Sequence, residues 1–506
     1  MRAFSQSNCL GLNSPRSNER AGEGSRRHRR PIPRPAFALG VLIEALFFLV
    51  PVGCATRPPD DSDNTCDPAA PDCTDNLVCN ALVSGISECV APVVVVGQVL
   101  DATDDAPIEG ALVQAVDVNG AVVAPSAETD ADGSFTLTVP VIRDEDGAPR
   151  EGSFTLRSQA AAYQAFPSPI RPALPIDGST AAFSEEDDWV IENALTTIKL
   201  IPLPGDTSAL GSISGTIEAE SNSGILVVAE SNGTGFTGFS DADGDFTVFN
   251  VPAGVYELRG YAAGVQLAAV GTTVSAGEAK TDVNLTESSE PLSTVSGNVQ
   301  IVNAPGGSLT SVILAVESTF VEDSARGEAP PGLRVGDVSG AFVIEDVPDG
   351  RYVVLSAFEN DGLVRDPDQN IGGTQIVHLE VPDPTAGNSI TISEGFKITG
   401  ALGVLSPGAE GPEIVSTPNP AFQWQDDSSE DGYEIQVFDA FGNEIWSMEI
   451  ASVSGSASVT LEYDGPALES GLFYQFRATS FRERSGVRTA ISRTEDLKGV
   501  FQFLAP

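Results

Sequence analysis

Two short acidic motifs, Asp130-Ala131-Asp132-Gly133 and Asp241-Ala242-Asp243-Gly244-Asp245, carry the kind of oxygen donors with which calcium loops begin. Calcium collects about six to eight oxygens, and an EF-hand loop closes on a bidentate acid at its twelfth position. The twelfth residues counted from Asp130 and Asp241 are Val141 and Pro252, and an extended run starts where a loop would continue. The motifs therefore read first as tight turns. Ca2+ held by Asp130, Asp132, Asp241, Asp243 and Asp245 is the alternative. Four cysteines, Cys66, Cys73, Cys79 and Cys89, crowd into 24 residues. Zinc favours paired Cys-x2-Cys spacing, which is absent, so the four are expected to form two disulfides in an exported chain. Four cysteines allow three pairings, and spacing does not choose among them.

Nucleophilic catalysis finds no support. His28 and His378 are the two histidines, no Gly-x-Ser-x-Gly elbow accompanies them, and no P-loop or dinucleotide fingerprint occurs. The acids are expected on solvated faces that keep the chain soluble. No catalytic residue and no cofactor is assigned, and the chain reads as a non-enzyme.

The elements that must position these residues follow from composition. The chain has 506 residues, 41% of them hydrophobic, with 50 Gly, 35 Pro and a net charge of -44. This length suits roughly three to five domains. A strongly acidic chain is a poor partner for nucleic acid, which rewards clustered Lys and Arg. From Val93 onward, short β-branched runs alternate with Gly, Asp, Asn and Pro clusters, a texture of strands and turns.

The N-terminus carries a different signal. Arg26, Arg27, Arg29, Arg30 and Arg34 precede an apolar run over 36–53. Basic segment, apolar segment, small residue and cysteine follow the order of an export signal. Val50-Pro51-Val52-Gly53-Cys54 resembles a bacterial lipobox, which implies a lipidated Cys54 as the mature N-terminus. Ala55 resembles the outer-membrane sorting choice. An ordinary secreted protein and an uncleaved anchor are the alternatives. Cleavage before Cys54 removes eight Arg and three Glu and leaves a charge of -49. Residues 1–53 are thus the signal, 54–65 a Pro- and Asp-rich flexible tether, and 66–92 a small Cys-rich module too short to hold a core without cross-links.

Three later segments share a pattern. Each opens on V/I-x-G-x-V/I: Val95-Val96-Gly97-Gln98-Val99, Ile213-Ser214-Gly215-Thr216-Ile217 and Val295-Ser296-Gly297-Asn298-Val299. Each then reaches a turn feeding a Phe-led strand, at Asp130–Phe135, Asp241–Phe246 and Asp337–Phe342. The second and third add Val251-Pro252-Ala253-Gly254-Val255-Tyr256 and Val347-Pro348-Asp349-Gly350-Arg351-Tyr352. The opening glycine is expected to allow a close backbone approach or a bulge. The Asp is expected to bond its own backbone while Gly supplies a positive φ. These segments resemble the carboxypeptidase regulatory-like domain, which implies transthyretin-like β-sandwiches of the carbohydrate-binding-like fold group over 93–200, 210–287 and 293–394. The first carries an insertion near 160–192 that includes the acidic run Glu185–Asp188 before Trp189.

Residues 397–506 change character. Trp424 is expected to face a core, and Leu468 stands six residues before Tyr474. That spacing resembles the tyrosine corner of a fibronectin type III or Ig-like sandwich, in which the Tyr hydroxyl bonds the backbone upstream.

The expected whole is an all-β chain of tandem β-sandwiches, three transthyretin-like and one fibronectin III-like, after a disulfide-rich module. Its expected role is a non-catalytic cell-surface lipoprotein, an extended stalk, adhesin or envelope component, held to the membrane by lipid on Cys54 and facing the periplasm or the cell surface. A carbohydrate- or polymer-binding lipoprotein, with Trp189 as the sugar platform, is the alternative; a glycan or a surface protein would be the partner.

Overall fold

A computed structural model describes residues 65–506 apart from 68–72, 75–76, 118–119, 121, 169, 185–187, 323–325, 358–360 and 454. Cys54, the signal and the tether lie outside the described residues, as do Glu185–Asp187 of the acidic run. The described chain is a series of β-sandwiches in which 3-10 helix is confined to short turns such as Gly178–Thr180.

The first three sandwiches repeat one topology. In the first, strand Val93–Asp101 lies between an antiparallel neighbour, Ser134–Val139, and two parallel segments, Trp189–Ile191 and Thr197–Pro202. In the second, Gly211–Glu218 has Asp245–Val251 on one side and Ala279–Lys280 and Leu285–Thr286 on the other. In the third, Ser293–Val302 lies between Ala341–Val347 and the pair Ser389–Thr391 and Phe396–Gly400. A second sheet covers each. These sheets centre on Leu112–Val116, on the adjacent strands Leu226–Ser231 and Gly254–Tyr261, and on Thr310–Val316 with Gly350–Ser356.

The opening motif explains the interruption in the parallel strand. Gly97 pairs with Phe135, Gly215 with Phe246 and Gly297 with Phe342. A Cβ on Gly97 would strike the Thr196 carbonyl and the Phe135 ring; one on Gly215 would strike the Val283 carbonyl; one on Gly297 would strike the Phe342 ring. The Phe ring thus lies across its glycine in the first and third repeats, and the returning chain bulges over it in the first and second. The close backbone approach expected from sequence is present at Gly97 and Gly215, whereas Gly297 is crowded by side chains, the Phe342 ring and Ile392.

The tyrosine of V-P-x-G-x-Y adds a clasp. Tyr256 donates to the Pro252 carbonyl at 2.7 Å, and Tyr352 to the Pro348 carbonyl at 2.8 Å. Each hydroxyl ties its own turn while the ring is buried in the sandwich core. The fourth sandwich sets Ala421–Gln425, with Val404–Ser406 and Ser458–Glu462, against a larger sheet built on Phe473–Arg484 and Gly432–Asp439. Trp424 is fully buried there. The Glu469 amide donates to the Tyr474 hydroxyl at 2.8 Å, so that hydroxyl does bond the backbone upstream, as acceptor.

An extended string is not what forms. The first sandwich meets the second through Asn250, whose amide side chain accepts from the Ala162 N–H at 2.6 Å and donates to the Ala160 and Tyr163 carbonyls. The second and third share one hydrophobic core in which Leu226, Val228 and Tyr261 pack with Val312, Leu314 and Tyr352. The third meets the fourth where Ser492 donates to the Gly400 carbonyl and the Gly362 amide to Glu495. The fourth then returns to the first: Ala102, Ile170 and Ile201 bury against Ala440 and Val500, and Gln164 donates to the Ala440 carbonyl at 2.9 Å. Insertion residues Ala160, Ala162, Tyr163, Gln164 and Ile170 supply contacts on both sides. The insertion therefore closes the series into one body.

Candidate functional site

The cysteine module resolves first. Cys79 and Cys89 stand opposite each other in the hairpin Val78–Ala81 and Ser87–Val90, yet each bonds outward, in Cys66–Cys79 and Cys73–Cys89. Among the described residues the one grouping of three potential metal ligands is Cys66, Cys73 and Cys89, and their sulfurs are consumed in these disulfides. The hairpin is docked on the first sandwich by Arg143, which is fully buried. Its Nε and Nη2 donate to Asn80 Oδ1, Nη2 also to the Ala91 carbonyl, and Nη1 to the Gly147 carbonyl. Burial pulls this guanidinium down to about 10.

The acidic motifs are turns. Asp130 Oδ1 accepts from the Asp132 and Ser134 amides, and Asp241 Oδ1 from the Asp243 and Asp245 amides. Gly133 and Gly244 take positive φ at 70° and 87°. Asp132, Asp243 and Asp245 are exposed. Asp144 and Asp439 make the same two bonds in their own Asp-x-x-Gly turns, which identifies the geometry as a recurring device for starting a strand. His378, half exposed, shares Glu317 with Arg351 on an outer sheet face.

Trp189 sits otherwise than expected. It opens the parallel strand beside Val93 and packs against the core of the first sandwich, so it does have a core role. Its outward partner is Phe183, 54% exposed and edge-on to it with ring centroids 5.1 Å apart. The exposed member of this aromatic pair is therefore Phe183, which the sequence did not single out.

A second group was also missed. Where the four sandwiches converge, Arg477, Arg493, Arg326 and Arg365 surround the buried Asp496. Arg477 Nη2 lies 3.1 Å from the Asp496 carboxylate, and Arg326 donates to the Asp496 carbonyl. Burial pushes the Asp496 carboxyl up, but the four guanidiniums outweigh it and hold the group below its ordinary value. Burial pulls Arg326 down to about 9 and Arg365 to about 10. Beside them, the Arg157 guanidinium carbon sits over the Phe239 ring, 3.4 Å from its centroid, with Glu328 as its charge partner. One signal existed in the sequence: beyond Cys54 there are 15 Arg against four Lys, and Arg is the cation suited to buried, planar contacts.

No family model and no curated protein matches the chain. Among solved structures it is similar to the Bacillus anthracis TIE protein, at 12% identity over 81% of this chain and 72% of that one, with a TM-score of 0.15. It is also similar to the shaft pilin SpaA from Lactobacillus rhamnosus GG, at 12% identity over 40% and 99% of the two chains, with a TM-score of 0.17. A DUF3823 family protein from Bacteroides ovatus is similar at 11% identity over 42% and 99%, with a TM-score of 0.18.

Proposed function

We propose that the chain is a non-catalytic component of the cell envelope, a body of four closed sandwiches carried on a lipidated Cys54. The observation that supports this most is the occupation of its reactive side chains. The Asp-x-x-Gly carboxylates cap their own turns, the four module cysteines are bonded, and the histidine beyond the signal is paired with Glu317 on an open sheet face. Among the described residues these groups are thus engaged in the fold, which favours a structural role for the acidic surface. Intact-mass analysis of the N-terminal peptide from the native host, with membrane fractionation, tests the proposal. A diacyl- or triacylglyceryl group on Cys54 is the expected result, and an unmodified terminus in the soluble fraction refutes it.

A glycan-binding role is favoured by one observation, the exposed Phe183 ring set against Trp189 at a sheet edge. Aromatic faces stack on apolar sugar faces much as they do on other flat partners. A glycan array with the wild type and Phe183→Ala tests it. Phe183→Ala is the variant of choice because Trp189→Ala would also damage the core.

A further inference from the structure

The joint between the third and fourth sandwiches holds an open cleft, a cavity of about 370 Å³. The third sandwich contributes Asp366, Asp368 and Lys397 to it, and the fourth Arg482, Arg484 and Val487. Small-molecule sites occupy about 300–1,000 Å³, so the space suffices for one compact ligand. One wall is the face of a hairpin, Phe473–Arg484 with Val487–Arg493, in which Arg482 stands across from Thr489 and Arg484 across from Val487. Alternate residues and cross-strand partners share one face of a sheet, and all four line the cleft. Neither arginine has a carboxylate partner among the described residues. Arg482 spends its Nε on the Ser429 carbonyl at 2.6 Å, which steadies the fork, and Arg484 is exposed. Their terminal N–H donors are not sealed from water.

The opposite wall spends most of its charge internally. Lys397 Nζ lies 3.2 Å from the Asp366 carboxylate, whose other oxygen accepts from the Asp368 amide. Asp368 Oδ1 caps the next turn by accepting from the Asn370 amide, and its Oδ2 has no partner among the described residues. Two uncommitted cations thus face one uncommitted carboxylate oxygen, in a chain whose net charge is -44. A ligand with one negative end and hydroxyl donors elsewhere satisfies both walls, whereas a dianion would meet Asp368 as well as the arginines. Guanidinium pairs with carboxylate through parallel N–H donors. The Thr489 hydroxyl and the Asn303 amide add neutral partners, and Ile371 and Ile491 add apolar surface. Scattered neutral groups of this kind match a ring of hydroxyls rather than a single ammonium.

We propose that this cleft binds a hexuronate, its carboxylate on Arg482 and Arg484 and its hydroxyls on Asp368 and Thr489. The assignment rests neither on the Phe183 ring nor on lipid at Cys54, and Phe183→Ala should leave it unchanged. The probe is sodium glucuronate, titrated calorimetrically into the full chain, with glucose, sodium phosphate and the zwitterion leucine as comparators at matched ionic strength. One saturable glucuronate site is expected. Glucose should bind more weakly by about tenfold or more, the loss of one charge-assisted bond, and phosphate and leucine should also be weaker. Arg484→Gln should weaken glucuronate by a similar factor at an unchanged Tm, because the side chain is exposed and pairs with nothing among the described residues. Arg150→Gln, which removes an exposed arginine of the first sandwich, should bind as the wild type does. The proposal is overturned by glucuronate that never saturates, by glucose, phosphate or leucine that binds as well, by an Arg484→Gln protein that binds as the wild type does, or by equal weakening in Arg150→Gln.

Discussion

Gly215 stands directly across the ladder from Phe246, and the Val283 carbonyl lies where a side chain on that glycine would have to go. The same glycine–phenylalanine pairing recurs in two other sandwiches, and in the first of them the Thr196 carbonyl likewise occupies the place of a side chain on Gly97, the same steric device. Gly215→Ala is expected to cost about 2–4 kcal/mol, because backbone rather than a movable side chain must give way. Gly271 is the control: nothing lies within 4 Å of its added Cβ, so Gly271→Ala should change stability by less than about 1 kcal/mol. Urea denaturation of both variants decides, and equal midpoints would remove the device.

Asn250 holds the first two sandwiches together from a left-handed position, with φ at 61°. Asn250→Ala loses three hydrogen bonds and adds backbone strain; Asn250→Gly loses the bonds without the strain. Both should lower stability, by about 1–3 kcal/mol for the bonds alone, and Ala should be the worse. Hydrogen exchange at the Ala162 amide, which donates to Asn250, should accelerate in each. Unchanged protection there would show that the hydrophobic contacts suffice for this joint.

Replacing Cys66 and Cys79 by Ser should loosen the N-terminal hairpin and leave the sandwiches intact. A disulfide closing a short loop contributes about 2–4 kcal/mol, and the module has little core of its own. Exchange across 78–90 should rise while the main thermal transition stays in place. A matching fall in that main transition would mean that Arg143 couples the module to the first sandwich more tightly than its contacts suggest.

Glu495 is buried and its carboxyl is raised, by burial first and by Asp361 and Asp496 second. The folded state thus binds this proton more tightly than the unfolded state. Its contribution falls as pH rises from the ordinary carboxyl value through the raised one, and the full cost is present above that. Glu495→Gln keeps an acceptor for the Gly362 amide and removes the charge. It should raise Tm relative to wild type near about pH 8 and lose that advantage near about pH 4. A constant difference across this range would contradict the assignment.

Asp496 has the opposite sign. Its lowered carboxyl stabilises the fold above the ordinary aspartate value, and the contribution is lost as pH falls through the depressed one. Asp496→Asn strips four arginines of their shared counter-charge, so a loss of about 3–5 kcal/mol is expected at neutral pH. The deficit should shrink in acid. A neutral substitution, with no change in midpoint at any pH, would mean that the neighbouring carboxylates already balance these cations.

Much of each sandwich was legible because its determinants are local or repeated. The Asp-x-x-Gly turns and the tyrosine steps act on chain within a few residues, while Gly97, Gly215 and Gly297 act on distant partners and were legible because their motif repeats. The joints were not legible, because their partners lie far apart: Gln164 meets Ala440, and Arg326 meets Asp496. One trace of them was present. Residues 312–316, Val-Ile-Leu-Ala-Val, run apolar without alternation, and every residue of the strand Thr310–Val316 is buried. A strand covered on both faces loses the polar alternation that marks a surface sheet, so this run announced a neighbour without naming it. The half-buried place of Trp189 was hidden for a related reason. An aromatic beside an acidic run reads as exposed, while its pairing with Val93 is invisible until the insertion is folded.

The contact between the first and last sandwiches also decides how the molecule answers a pull. Tension between residue 65 and residue 506 does not travel only along the chain from one sandwich to the next. It loads the patch of Ala102, Ile170 and Ile201 on Ala440 and Val500 at the same time. Even with Phe441, Leu472 and Phe473 packed against it, that patch is smaller than the core of a sandwich, so it is the contact expected to part first under load, before any sandwich unfolds. Such a joint would act as a latch with slack stored behind it, shut again by the same apolar patch and the Gln164–Ala440 bond once the load is relaxed.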